Sequence, residues 1–179
     1  MRSSSLAIAL ALTVNSASAD ITITLTNQTF TGFNFSQIAN YAGGQEIVGS
    51  FTGASINVTL NASTSYTYAD DLCIYVDVEP LGSGGLLQMG GFSSLNAAQR
   101  YFWPNGGSSA PGTTAIGSVS LAAPIAMDGS DLIVWIGNGY GAAGTSGTWS
   151  GTITLHGVDA VPAPGAIALL GLAGLAGRR

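Results

Sequence analysis

Side chains that could act as nucleophiles, bases or soft metal ligands are few in this 179-residue chain, which has one histidine and one cysteine. A serine–histidine triad would have to use His156, but no Gly-x-Ser-x-Gly nucleophile elbow precedes it. Zinc needs at least three His, Cys or carboxylate ligands within reach, and the spacing of His156 and Cys73 offers no such set. We interpret His156 as a surface residue of a strand and expect no catalytic residue.

The single cysteine, Cys73, cannot form an intramolecular disulfide. A free cysteine is among the side chains most often buried, so we predict a small, unreactive core residue. The alternative is an intermolecular disulfide or a reactive thiol at the protein surface.

Carboxylates offer a second kind of chemistry, because they cluster in two places: residues 70, 71, 77 and 79, and residues 128 and 131. Calcium prefers six to eight oxygen ligands, often from loop carboxylates. If the two strands that begin Asp-Leu are neighbours, Asp71 and Asp131 approach each other and become weak Ca²⁺ candidates. No Asp-x-Asp-x-Asp loop is present, and the spacing selects no glycosidase pair. We therefore predict no required metal or other cofactor.

Aromatic side chains give the strongest indication of binding. Tyr101, Phe102 and Trp103 run directly into a Gly/Ser-rich loop, and Tyr140 lies within the glycine-rich segment 137–147. Exposed rings can stack on sugars or anchor protein contacts, so Tyr101, Trp103 and Tyr140 are candidate ligand-stacking residues. The alternative is that Phe102 and Trp103 cap the core of the domain.

The distribution of charge excludes two classes of partner. The chain has no lysine, and between residues 20 and 161 a single arginine, Arg100, faces nine acidic residues. Binding to nucleic acid depends on Lys and Arg at the phosphates, and anionic lipid surfaces recruit the same residues. We therefore expect no nucleic-acid partner and no docking on an anionic lipid surface.

The elements that must position these residues are strands. Apolar and polar residues alternate with a period of two over 21–26, 56–61, 72–79 and 149–156, and shorter candidates cover 47–51, 86–92, 115–121 and 131–137. Only 94–100 resembles a short helix. Glycine-rich breaks separate the strands, and 20–160 has the size of one domain. This pattern predicts an all-β antiparallel sandwich or jelly roll of about eight strands.

The first nineteen residues read as a secretory signal peptide. Arg2 supplies the positive charge, residues 6–14 form an apolar stretch, and Ala17 and Ala19 form a small-residue cleavage site. Nine apolar residues are too few to cross a bilayer, which needs about 20. We therefore expect cleavage after Ala19.

The last nineteen residues, 161–179, form a three-part tail: a Pro-x-Pro motif, an uncharged apolar stretch at 165–177, and a terminal pair of arginines. The residues that define the motif and the pair are Val161, Pro162, Ala163, Pro164, Arg178 and Arg179. The apolar stretch predicts a short transmembrane helix, with an apolar helix packed on the domain as the alternative.

This tail resembles the PEP-CTERM sorting signal of bacteria. The resemblance implies recognition by an exosortase, a membrane protease, and delivery to the cell surface or the outside. The common motif has Glu where this chain has Ala163, which bears on the choice of processing enzyme.

Together these features predict an exported, non-enzymatic bacterial protein of the cell surface or extracellular matrix, with a structural or adhesive role and weak glycan binding. The alternative is a secreted polysaccharide hydrolase or an enzyme-accessory domain. An enzyme should place paired carboxylates, or His156 with a partner, in a cleft. A surface module should show exposed aromatic rings instead.

Overall fold

The computed structural model describes residues 20–32, 34–77 and 85–161. Ala17 and Ala19 of the predicted signal peptide lie outside the described residues, as does the predicted tail from Pro162 to Arg179. No helix among the described residues is both long enough and apolar enough to cross a membrane.

The described part of the chain is all-β, with nine strands in two sheets. The first sheet has the order β1-β9-β3-β7 and is antiparallel throughout. The second has the order β2-β8-β4-β5-β6, with a parallel pairing only between β5 and β6. The strands are β1 Ile21–Thr31, β2 Phe35–Tyr41, β3 Ile47–Thr64, β4 Leu72–Val76, β5 Leu87–Met89, β6 Gln99–Tyr101, β7 Thr114–Ala126, β8 Leu132–Asn138 and β9 Ser146–Ala160; a single 3-10 turn covers Ala69–Asp71.

The alternation of the sequence explains the core between the sheets. In β3, Ile56, Val58 and Leu60 are buried while the polar residues between them are more exposed. They pack with buried residues of the other sheet, including Ile74 and Ile136. Each such side chain contributes roughly 1.5–3 kcal/mol when it is fully buried. The predicted β-sandwich is thus confirmed at the level of two packed sheets.

Three sequence expectations need correction. The segments predicted at 47–51 and 56–61 form one long strand, β3, whose pairing shifts register between Phe51 and Gly53. The helix predicted at 94–100 is wrong, because Gln88 Oε1 accepts the amide of Leu95 and the segment then enters β6. Strand β2 was not predicted, since its sequence lacks a regular alternation of apolar and polar residues.

The outer face of β4 is covered by the segment that follows β5. Cys73, Tyr75 and Leu95 form a small second core there, and the Tyr75 hydroxyl donates to the carbonyl of Leu95 at 3.1 Å. Cys73 is fully buried, which confirms its predicted place in the interior. Burial raises the pKa of the Cys73 thiol well above its usual range, so the unreactive thiol form is favoured.

Candidate functional site

The antiparallel strands divide the loops between two ends of the sandwich. The end that contains residues 65–71, 90–93, 102–113 and 139–145 carries several exposed rings, and we call it the aromatic end. Its exposed rings are Tyr66, Tyr68, Phe92 and Phe102, with Tyr140 partly buried beside them. The opposite end, with the 42–46 and 127–131 loops, we call the acidic end.

A recess of about 270 Å³ opens at the aromatic end, and it is lined by Tyr66, Tyr68, Asp71, Phe92 and Tyr140. We call it the aromatic cleft. Phe92 and Tyr140 meet edge to face, with ring centroids 6.0 Å apart and planes inclined at 69°. Tyr66 and Phe92 are 76% and 71% exposed, so most of each ring is open to a ligand. A volume near the lower limit for small-molecule pockets fits one or two sugar rings.

A smaller recess of about 110 Å³ adjoins the aromatic cleft. It shares Tyr68, Asp71 and Phe92 with the cleft and adds the side chains of Asp70, Phe102 and Trp103, together with Gly91. The two recesses together form a groove across this end of the sandwich. A groove with rings along its wall and carboxylates at its base suits an extended ligand better than a compact one.

Two buried tryptophans fix the base of the aromatic cleft. The indole N–H of Trp149 donates to the carbonyl of Ala69 at 3.0 Å, and that of Trp103 donates to the carbonyl of Leu72 at 2.9 Å. Both bonds hold the 3-10 turn and the start of β4 against the core. Gly90 is required nearby, because its φ is +75° and a Cβ would lie 2.1 Å from Nε1 of Trp103.

Asp71 is the carboxylate at the base of the aromatic cleft and is only 5% exposed. The backbone amide of Tyr68 donates to its Oδ2 at 2.7 Å. Burial raises the pKa of Asp71 to about 6, and the charge of Asp70 adds to the increase, while the amides of Tyr68 and Phe92 oppose it. Burial also raises the pKa of Asp70. Asp71 therefore titrates closer to neutrality than an ordinary aspartate.

The predicted stacking residues differ in exposure and in their contacts. Trp103 is 5% exposed and donates its N–H inside the protein, so it offers little ring surface for stacking, although it borders the smaller recess. Tyr101 is half-buried, and its hydroxyl accepts the amide of Ala122 at 2.9 Å. Tyr140 does line the aromatic cleft. Phe102 does not cap the core, because it is 62% exposed and carries Arg100 over its ring at 4.5 Å.

Tyr66, Tyr68 and Phe92 were not predicted from the sequence. They are single aromatic residues in separate loops, and no local pattern connects them. Ser65 and Tyr66 have left-handed backbone, with φ of 51° and 63°, because the chain makes a tight turn after a long strand. Only the sheet order brings this turn beside the loop that carries Phe92.

The expected approach of Asp71 and Asp131 is wrong. Their strands, β4 and β8, are neighbours but run antiparallel, so that Leu72 pairs with Asn138. Asp131 therefore lies at the far end of β8, about 20 Å away at the rise of a β-strand, where its Oδ1 accepts the amide of Gly43 at 3.3 Å. Among the described residues, no group of three His, Cys, Asp or Glu side chains is close enough to hold a metal ion.

His156 lies in β9, as the sequence predicted, between two polar partners. Its Nδ1 is 2.7 Å from Oδ2 of Asp20, and its Nε2 is 3.0 Å from Oγ of Ser55. The hydrogen bond with His156, with help from the amide of Gly157, lowers the pKa of Asp20. The order Asp–His–Ser matches a catalytic triad, but these side chains lie on the solvent face of the first sheet and line neither recess. They join β1, β9 and β3 side by side.

The described residues thus define a two-sheet β-sandwich with an aromatic groove at one end. Comparisons with protein-family models, with curated proteins and with solved structures found no match to the chain.

Proposed function

We propose that this is an exported bacterial protein of the cell surface or extracellular matrix, with a structural or adhesive role, whose aromatic end binds polysaccharide. The observation that carries the proposal is the aromatic cleft, where exposed rings surround a carboxylate. Large apolar side chains exposed together are uncommon unless they meet a partner. Sugars supply the matching chemistry, since their C–H faces stack on rings and their hydroxyls donate to carboxylates.

Charge favours a neutral polysaccharide as the ligand. Arg100 is the only lysine or arginine among the described residues, and it donates to the carbonyls of Gly91 and Phe92. Asp70 and Asp71 lie at the base of the groove. A sulfated or uronic-acid polymer would meet two carboxylates and one guanidinium there, so electrostatic repulsion disfavours it.

The position of the chain ends supports presentation of the aromatic end to the outside. β1 begins and β9 ends at the acidic end, where the amide of Val161 donates to the carbonyl of Glu46 at 2.9 Å. The predicted sorting tail follows directly. β9 has 15 residues, so at the rise of a strand its last residue lies about 50 Å from its first. A membrane attached through the tail would therefore face the acidic end.

The route to the surface forms part of the proposal. Residues 1–19 act as the signal peptide, and 161–179 act as a transient or permanent membrane anchor that an exosortase-type protease recognises. Mass spectrometry of the intact native protein tests both steps. We expect a chain that begins at Asp20 and lacks Arg178 and Arg179; a mass that retains residues 1–19 would contradict export by this signal.

The binding test uses neutral polysaccharides on a glycan array, followed by calorimetric titration of the best ligand. We expect Phe92→Ala and Tyr66→Ala each to weaken binding about tenfold, equivalent to about 1.4 kcal/mol of lost stacking. Ile116→Ala is the matched control, because Ile116 is 50% exposed and lines neither recess. Absence of binding to every glycan, or equal affinity in all variants, would contradict the proposal.

A polysaccharide hydrolase is the second candidate, and one observation favours it. Asp71 has a pKa of about 6 and lies beside Asp70 in the groove, which is how a general acid is kept protonated next to a second carboxyl group. Release of reducing ends from a bound polysaccharide, lost in Asp71→Asn but retained in Asp131→Asn, would favour this candidate. Binding without release of reducing ends would favour the adhesive role.

A further inference from the structure

The two edge strands of the first sheet, β1 and β7, differ in how their outer backbone is protected. On β7, the side chain of Asn105 accepts the amide of Ile116 at 2.7 Å and donates to its carbonyl at 2.6 Å. The amide of Ala122 donates to Tyr101 at 2.9 Å, and Pro124 has no amide to offer. These are devices by which proteins block pairing with another chain.

Residues 21–25 of β1 have no comparable protection among the described residues, although a bulge interrupts the strand after them. It pairs with β9 on one side only, and its sequence Ile21–Thr31 contains no charged residue, proline or glycine. A shift of register between Leu25 and Gln28 leaves 21–25 as a regular strand. An uncharged, regular edge of this kind is a ready template for a further strand.

We propose that residues 21–25 of β1 pair antiparallel with the same residues of a second copy of this chain, with the two-fold axis at Ile23. Ile21 then lies opposite Leu25 of the partner subunit, and Thr22 opposite Thr24 of the partner subunit. The four-stranded first sheet of each copy then joins the other to form one eight-stranded sheet. The proposal is independent of glycan binding, which uses loops at the other end of the sandwich.

The side chains of 21–25 favour this occupant because the segment is complementary to itself. Thr22 and Thr24 are exposed, while Ile21 and Ile23 are half-buried and Leu25 is buried against the core. Rotation about an axis normal to the sheet keeps these two faces aligned. Threonines then pair on the solvent face, and isoleucines cover one another on the inner face, both favourable cross-strand pairs.

The geometry also predicts the strength and the form of the complex. Five paired residues bury less area than a standard interface, so the dimer should be weak and concentration-dependent. Because the two β1 strands run antiparallel and pair near the acidic end, the two aromatic clefts point in opposite directions. In the form released from the membrane, a dimer of this kind would present two binding sites on opposite sides, as a cross-linker of a matrix requires.

Sedimentation velocity over a range of protein concentrations tests the proposal with two charge variants. Thr22→Lys/Thr24→Lys places lysine opposite lysine across the two-fold axis, and we expect it to remain monomeric at concentrations where the natural protein dimerises. Thr22→Lys/Thr24→Glu places lysine opposite glutamate of the second copy, and we expect it to dimerise at least as well as the natural protein. Circular dichroism melting checks that both variants fold.

Three outcomes would overturn the proposal. The natural protein could stay monomeric at every concentration reached, the lysine pair could leave dimerisation unchanged, or the lysine–glutamate pair could fail to restore it in a folded variant. Association through another surface, including the C-terminal tail, would produce the second outcome. Glycan affinity is measured on the same variants and should not change, so failure of either proposal is seen separately.

Discussion

The two ends of the sandwich are built from the same strands but carry opposite chemistry. The aromatic end exposes Tyr66, Phe92 and Phe102 and has two carboxylates, Asp70 and Asp71, both with a raised pKa. At the acidic end the carboxylates are spread over separate loops and strand ends, at Asp20, Glu46, Asp77, Asp128, Asp131 and Asp159. The difference between the two ends shows that burial, rather than the number of carboxylates, decides where the pKa of an aspartate rises toward neutrality.

Burial also explains the different roles of neighbouring aromatic residues at the aromatic end. Trp103 and Phe102 are adjacent in the chain, yet one is 5% and the other 62% exposed. Trp103 holds the start of β4 through its N–H, while Phe102 lines the groove beside Arg100. In the part of the chain that the structure describes, no exposed ring lies at the acidic end.

The largest expected effect separates these two neighbours. Trp103→Ala should lower the free energy of unfolding by about 3–5 kcal/mol, because it leaves a cavity and an unpaired carbonyl on Leu72. Phe102→Ala should change the free energy of unfolding by less than about 1 kcal/mol, since the ring is mostly in solvent. Urea denaturation measures both. Equal losses would show that the two rings do not divide the roles of support and binding.

The second effect concerns Asp71 and pH. Its pKa of about 6 lies above the value near 3.9 in an unfolded chain, so ionisation is costlier in the folded state. The cost is absent below about pH 4, grows between pH 4 and 6, and is complete above pH 6. Lowering the pH from 7 to 4.5 should therefore raise the stability of the natural protein by up to about 2 kcal/mol relative to Asp71→Asn.

Urea denaturation at several pH values measures this difference. Asp131→Asn is the matched control, which removes one carboxylate at the acidic end. If the free energy of unfolding changes with pH in the same way in the natural protein and in Asp71→Asn, the assignment of the raised pKa to Asp71 is contradicted.

A smaller effect is expected where His156 joins the three strands. Asp20 has a lowered pKa, so its contribution to stability is present above its unfolded pKa and is lost as the pH falls through its folded pKa. Asp20→Asn should cost about 0.5 kcal/mol at neutral pH, typical of an exposed pair, and progressively less as the pH falls through the folded pKa of Asp20. The thermal midpoint as a function of pH measures it. A loss that does not change with pH would indicate packing rather than charge.

The smallest effect is expected from calcium. Asp71 and Asp131 lie at opposite ends of the sandwich, so they cannot share an ion. Addition of millimolar Ca²⁺ should leave the melting temperature unchanged in the natural protein and in Asp131→Asn. A rise in the natural protein alone would reveal a cation site at the acidic end and would end the simple contrast between the two ends.

Regular alternation made much of the fold predictable, whereas irregular segments were missed. β1, β4, β8 and β9 were each predicted at least in part, because one face of each strand is apolar and the other is polar or is covered by a later segment of the chain. β2 and β6 were missed, since their pairing depends on neighbouring strands more than on their own residues. The helix predicted for 94–100 failed because hydrogen bonds between Gln88 and the backbone of Ser93 and Leu95 hold the segment as an irregular loop, with left-handed backbone at Asn96.

The candidate site was less predictable than the fold for a related reason. Tyr140 was recognised because it interrupts a glycine-rich loop, but Tyr66, Tyr68 and Phe92 are isolated in the sequence. Trp103 was chosen as exposed because it belongs to an aromatic run. The period of a strand cannot tell which ring of a run enters the core when the run continues past the end of the strand, as it does after Tyr101 in β6.

By itself, the sequence determined the class of fold, the burial of Cys73 and the scarcity of positive charge, because hydrophobic periodicity and composition are local properties. The tertiary structure alone decided which residues meet. Antiparallel pairing of β4 with β8 placed Asp71 and Asp131 at opposite ends, and the sheet order brought Phe92 and Tyr140, from two distant loops, beside Tyr66, Tyr68 and Asp71. Direction and order of strands depend on packing across the whole domain, which no short stretch of sequence encodes.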